Sequence, residues 1–455
     1  MNVTRRLRRL CSSVFAAMCL LPTVLMAANG DITLRGQIAM PNSTSICDVW
    51  GYYDAVAGKE YAIVGEWFTA KLYVVDVTDP TNPSVVKTIT GVPGFDHKVY
   101  DHYLYSCDGN STGGDSRIID IADPLNPVVL PTKFSSGHNI SISDNGLLAL
   151  EFSGLKLFDL SIDAANPDSL WHSNTGDGHD STPKGNLLYD FHGYSGFRLW
   201  DVTNPSSPTL QETVNDPFVT YFHSGDTDPS GRYLYVCDEL AEEALNQPDI
   251  IVYDMNTSPP TRGSTLRDAN STVHNLYIIG NYAFVSHYTD GFKVLNVSDP
   301  ANPVVADEYD TSIFAAEGYD GCFGVYPFAQ TGYVYVSDWD NGLYIFEVEG
   351  YSGPVTSVRE TPSATARLEQ NYPNPFNPAT TIAFELDRGA DVTLRVFDVR
   401  GGAVRTLASG THDAGRHEAT WNGTNDAGRA VASGVYFYRL DVGPTTTTKR
   451  MVLLK

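Results

Sequence analysis

One segment of this chain recurs seven times, and no other feature restricts the fold so tightly. Each copy is an apolar run that ends in an acidic or amide residue and then turns. The marks are Asp76, Asp120, Asp159, Asp201, Asp254, Asn296 and Glu347, spaced 44, 39, 42, 53, 42 and 51 residues apart. The turn is Pro-rich in most copies, as in Asp79-Pro-Thr-Asn-Pro83, Asp123-Pro-Leu-Asn-Pro127 and Asp299-Pro-Ala-Asn-Pro303. Proline fixes φ, the residue before it caps the turn through its side chain, and the second proline stops the strand. These turns are therefore expected to be structural rather than ion-binding.

Units of about 40–50 residues rich in β-formers are propeller blades. In the third unit, His138–Ile142, Leu147–Phe152, Leu155–Leu160 and the segment around Leu170–Trp171 read as strands a to d. The last unit lacks a strand d, and a spare strand, Ile32–Met40, precedes the first. Pairing that strand with Leu343–Val348 would close the ring and remove the sheet edges. The expectation is an all-β chain: a seven-bladed β-propeller over 29–350, then a small Ig-like β-sandwich. Composition agrees, because 39 Gly, 26 Pro, 26 Tyr and 20 Phe suit short strands and tight turns.

Residues 1–28 join a basic start (Arg5, Arg6, Arg8, Arg9) to an apolar run that ends in small residues. That is the pattern of a secretory signal peptide; the run is short for a bilayer span and Pro22 interrupts it. No later stretch is apolar enough to span, so no transmembrane segment is expected in the mature chain. The net charge of −24 repels phosphate backbones and anionic lipids, which excludes nucleic acid as a partner.

The propeller segment resembles the LVIVD-repeat propellers, in particular the secreted bacterial choice-of-anchor B proteins. The residues that carry the resemblance are Asp48-Val-Trp-Gly-Tyr52, Lys59-Glu-Tyr-Ala-Ile-Val-Gly65, Val273-His-Asn-Leu-Tyr277, Val325-Tyr-Pro-Phe328 and Val336-Ser-Asp338. The resemblance implies a fold and a surface location, not a reaction.

After a linker at 351–367, residues 368–455 read as the strands Thr381–Leu386, Asp391–Asp398, His417–Trp421, Val435–Leu440 and Thr447–Leu454 with Gly-rich turns between them. The string Asn371, Tyr372, Pro373, Asn374, Pro375, Phe376, Asn377, Pro378, with Gly434-Val-Tyr-Phe-Tyr438 and the Lys449–Lys455 end, resembles a type IX secretion sorting domain of type A. It is also similar to the Ig-like domain of flagellar hook-capping proteins. The sorting resemblance implies a secretion translocon as partner and an address at the outer cell surface or beyond. The other reading is an Ig-like module with no sorting role.

Two series of polar residues mark one face of the propeller. Strand a opens with His97, His138, His179, His223 and His274, spaced 41, 41, 44 and 51 residues apart. Strand b ends with Glu66, Asp108, Glu151, Asp190, Asp238, His287 and Asp338. Chain direction puts both series on the same face, where imidazole and carboxylate together would suit a divalent metal or acid–base chemistry. The alternative is a structural network, since every blade poses the same packing problem. Gly137-His138 and Gly178-His179 also resemble the Gly-His pair that WD-repeat propellers use for hydrogen bonding.

Cys47 and Cys322 fall near the missing histidine positions of the first and seventh units, where a disulfide would lock the seam. Cys107 and Cys237 read as buried thiols. No nucleophile elbow, phosphate loop or dinucleotide fingerprint occurs. The leading expectation is an exported, non-enzymatic propeller that binds a protein, a glycan or a small ligand. The alternative is a metal-dependent, hydrolase-like enzyme working at the His/carboxylate ring.

Overall fold

The computed structural model describes residues 30–353 and 366–454, apart from 44, 110–115, 135, 152–153, 174–175, 177, 242–247, 269–270, 313–317, 387–389, 399–401, 413–414, 427 and 443–444. The expected signal segment and most of the expected linker lie outside these residues. Among the described residues there is no helix.

Seven four-stranded antiparallel sheets follow one another along the chain. The first blade takes Ile46–Asp54, Lys59–Glu66, Lys71–Asp76 and Ser84–Thr90 as strands a to d. The seventh takes Cys322–Tyr326, Val334–Asp338 and Gly342–Val348, and its outer strand is Ile32–Ile38 from the N-terminal side. Ile32 stands opposite Val348 and Ile38 opposite Leu343, the closure expected from the sequence. Gly36 makes that seam sterically feasible, because a Cβ there would stand 2.0 Å from the Pro80 carbonyl oxygen of the first blade. Glu60 of the first blade clasps the seventh, accepting from Gln330 N at 2.9 Å and Thr331 Oγ1 at 2.6 Å.

Both faces of the inner strands are buried, which explains their continuous apolar sequence. Along strand b of the first blade, Tyr61 and Ile63 pack with Leu104 and Ile119 of the second blade. Ala62 and Val64 pack the other way, with Tyr335, Leu343 and Ile345 of the seventh. The turns after strand c follow the expected chemistry. Asp76, Asp120, Asp159, Asp201, Asp254 and Asn296 each accept the amide two residues on, at 2.8–3.1 Å.

Ring closure does not remove every edge, contrary to the expectation above. The outer strand of each blade faces solvent, with Val128 57 % and Leu210 47 % exposed. In all seven blades the register between strand c and strand d slips at a bulge, such as Leu157/Phe158 in the third. A bulge twists an edge away from neighbours that would otherwise add a strand.

The C-terminal region is a two-sheet sandwich. One sheet joins Ala366–Leu368, Thr380–Leu386 and Gly415–Trp421; the other runs Ala403–His412, Ala390–Phe397, Gly434–Val442, Thr445–Leu453. Ala366–Leu368 and Ala403–His412 are strands beyond those expected; Gly401, Gly402 and Gly410 make the latter read as turn. Trp421, Tyr438, Leu394 and Met451 form the core. The Asn371–Pro378 string is built into this sandwich. Phe376 is buried against Trp421 at 5.5 Å, and its backbone pairs with Val452 and Leu454. Asn371 is buried and its Nδ2 donates to Thr380 Oγ1 at 2.9 Å, while residues 372–375, 377 and 378 are exposed.

Candidate functional site: a histidine stack at the propeller mouth

Strand a of each blade opens toward the axis with the side chain of one residue. In the third to sixth blades that residue is His138, His179, His223 and His274. Their ring centroids lie 4.2, 4.3 and 4.7 Å apart in succession. Phe323 continues the series 4.3 Å from His274, and Phe95 closes it 4.9 Å from His138 and 5.8 Å from Phe323. Cys47 holds the corresponding place in the first blade and packs with Phe95 and Phe323. These imidazoles therefore stack on one another around the axis rather than lying between blades.

His97 is not part of the stack. The residue of its blade that faces the axis is Phe95, which follows Gly94 as His138 follows Gly137. His97 stands two positions later, fully buried between blades, with Nε2 3.0 Å from the Ile63 carbonyl oxygen. The expected Cys47–Cys322 disulfide is absent, and both are free buried thiols. Cys322 sits one residue before the axial position, opposite Asp338, so alternation turns it into the core between blades. Cys47 Sγ donates to the Gly94 carbonyl at 2.8 Å. Cys107 and Cys237 are buried thiols, as expected.

The carboxylates beside the stack are Asp180 and Glu239, neither of them in the two once-per-blade series. His179 Nδ1 lies 3.2 Å from Asp180 Oδ1. His223 Nε2 lies 3.6 Å from Glu239 Oε2, and its Nδ1 4.0 Å from Asp180 Oδ2. Tyr288 donates to Glu239 Oε1 at 2.6 Å and holds that side chain over the stack. Two histidines have Nδ1 against a backbone carbonyl: His138 on Gly109 at 2.9 Å, and His274 on Phe323. In the tautomer where Nδ1 donates, their Nε2 keeps a lone pair.

Burial pushes the His138 imidazole down to about 4, with the neighbouring His179 adding to the effect. Burial likewise lowers His223 and His274. Burial also opposes charge on His179, but the Asp180 hydrogen bond and charge outweigh it and hold that imidazole above its usual range. The stack thus contains neutral rings on either side of the one that most readily carries a proton. Beneath it, Lys98 is buried with Asp48 at 2.8 Å and with Asp96, over the Trp50 ring at 4.7 Å. Asp48, Asp96, His138, His179, Asp180, His223 and His274 share one small cavity.

Most of the residues that end strand b are engaged elsewhere. Glu66 accepts from Tyr73 OH at 2.9 Å, and Asp190 from Trp200 Nε1 at 2.9 Å. Asp238 accepts the amides of Thr220 (2.6 Å), Tyr221 (2.8 Å) and Leu240 (3.3 Å), and burial still pushes its carboxyl up to about 6. Asp338 accepts from Asp340 N at 3.0 Å and Asn341 N at 2.8 Å. Asp108 is half-buried. Glu151 is fully buried with no donor in good geometry, and desolvation, then Asp190 and Asp180, raises it well above the usual carboxyl range. His287 is buried without a hydrogen bond to either nitrogen, and burial takes it down to about 3.

Fold and site together define a propeller-repeat protein with an appended Ig-like domain. Residues 55–90, 192–216, 272–311 and 329–356 match the LVIVD repeat, and residues 372–443 match the FlgD Ig-like domain. No curated protein matches the chain in sequence. Among solved structures, the WD40 β-propeller domain of Doa1 superposes with a TM-score of 0.50 at 13% identity, covering 70% of this chain and 97% of that one. PorZ of Porphyromonas gingivalis, described as an essential bacterial surface component of the type-IX secretion system, matches with a TM-score of 0.38 at 12% identity, covering 87% of this chain and 68% of that one. No helix among the described residues is long and apolar enough to cross a membrane.

Proposed function

We propose that this protein is an exported binding module whose propeller takes a neutral glycan at the mouth above the histidine stack. The observation that carries this reading is an aromatic shelf continuous with the stack. Phe68 (71 % exposed) stacks on Trp67 at 5.1 Å and meets Trp339 at 6.0 Å, and Trp67 touches the axial Phe95 at 4.7 Å. Across the mouth, Tyr194 (72 % exposed) packs on Tyr221, which packs on His179 at 5.3 Å. Exposed flat rings stack on the C–H face of a sugar, and the carboxylates beside them accept its hydroxyls. The charge of −24 disfavours phosphorylated or sulfated ligands. Titration of the full-length protein with neutral oligosaccharides should show binding that Phe68→Ala and Tyr194→Ala each weaken about tenfold, roughly 1.4 kcal/mol. Binding unchanged in both variants, or no neutral saccharide bound at all, overturns the reading.

In this reading residues 1–28 direct export, 29–350 form the propeller, 351–367 link, and 368–455 present the exposed strip of the Asn371–Pro378 string to a secretion translocon that leaves the protein at or beyond the outer surface. In the native host, a chain ending at Gly350 should stay in the periplasm; its appearance at the surface would refute the sorting role. A second reading, a metal-dependent hydrolase at the same mouth, is favoured by Glu239 standing over His223. Saccharide hydrolysis that disappears in Glu239→Gln would select it.

A further inference from the structure

His223 is 2 % exposed, yet its buried Nδ1 has no hydrogen-bond partner. Its ring nitrogens face two carboxylates, Glu239 Oε2 at 3.6 Å from Nε2 and Asp180 Oδ2 at 4.0 Å from Nδ1. A buried polar ring left unsatisfied lowers stability, so the spacing calls for something between the groups. Ligand atoms about 2.0–2.1 Å from a tetrahedral ion stand about 3.3–3.4 Å from one another. One donor atom each from His179, His223 and Glu239 lies within 4.8 Å of the others, the spread of a site about to contract on an ion.

We propose that His179, His223 and Glu239 hold one divalent first-row transition-metal ion at the propeller mouth. The nitrogen and oxygen donors fit Zn²⁺ and Co²⁺ better than Ca²⁺ or Mg²⁺, which take oxygen alone. The surroundings are those of metal ligands: Asp180 orients His179, and Tyr288 orients Glu239. His138, His179 and Asp180 form an adjoining triad that shares His179 with the first, so the stoichiometry is one ion per chain. The third such triad, Asp268, His287 and Asp290, differs in kind. Its cation is already there, since Lys293 Nζ pairs with Asp268, with Asp290 at 3.1 Å and with Glu308 at 3.2 Å.

The test strips the full-length protein with a chelator and titrates it with Co²⁺ and with Zn²⁺. One equivalent should bind, and the cobalt form should show visible d–d absorption of tetrahedral strength. His223→Phe should weaken binding at least about a hundredfold and Glu239→Gln about tenfold, while Asp290→Asn leaves it unchanged. Phenylalanine is chosen because Phe95 and Phe323 already occupy equivalent places, and Glu239→Gln decides the matter should His223→Phe not fold. No cobalt bound by the wild type, or wild-type binding in Glu239→Gln, overturns the proposal. Phe68→Ala should keep the ion, so failure of the glycan reading and failure of this one are seen separately.

Discussion

The two polar series on the histidine-bearing face have the same period and opposite fates. Residues that end strand b keep one chemistry around the ring because they solve one problem, and most are consumed by it. Asp238 ties together three amides, Asp190 an indole, Glu66 a phenol and Asp338 a turn. Residues that open strand a are free to differ: the axial series reads Cys47, Phe95, His138, His179, His223, His274, Phe323. A place that accepts thiol, phenyl and imidazole alike places no structural demand on imidazole. Repetition with fixed bonds marks architecture here, and a local run of one residue type within a tolerant position marks chemistry.

That contrast can be broken most directly at Asp238. Asp238→Ala strands three amides and should cost roughly 2–4 kcal/mol in denaturant unfolding, with Asp238→Asn recovering part of it. A loss no larger than that of an axial histidine would erase the distinction. Glu151 sharpens it through pH. Its folded carboxyl is raised, so its contribution to stability is fully present below the unfolded value of about 4.3 and is lost as pH rises toward the folded value. Glu151→Gln should therefore gain on the wild type as pH rises above about 4.3, and parallel stability curves would show that Glu151 is not desolvated. The smallest effect belongs to the axial series, where His223→Phe should change stability by less than about 1 kcal/mol in metal-free protein. A larger loss would mean that the stack is itself part of the scaffold.

The repeat made blade number, strand order and closure legible, because each rests on periodicity and on turn chemistry that is local in sequence. The axial register was less so. Counting from histidine to histidine put His97 in the series, two residues away from Phe95; the glycine before the axial residue (Gly94, Gly137, Gly178) carries the true alignment. A slip of one residue likewise put Cys322 at the axis, where the structure has Phe323, while Cys322 turns into the core. Glu239 was invisible to a search for once-per-blade positions because it occurs in a single blade; Asp180 shares its place after the axial residue with Asp48 and Asp96, a series that counting from the histidines passes over. In the sandwich, Ala403–His412 was hidden by Gly410 and by the glycines that precede the strand, Gly401 and Gly402, which read as turn.

The seam between the first and last strands also sets an order of events. Arg35 and Glu347, ion-paired across it, are separated by 312 residues. A chain made or moved from its N-terminus therefore produces Ile32–Ile38 first and pairs it last. In the interval both the early strand and the growing array are open templates for pairing with other chains. The protein is thus most exposed to misassembly not when little of it has formed, but when six blades stand complete and the seventh is still waiting for a strand released hundreds of residues earlier.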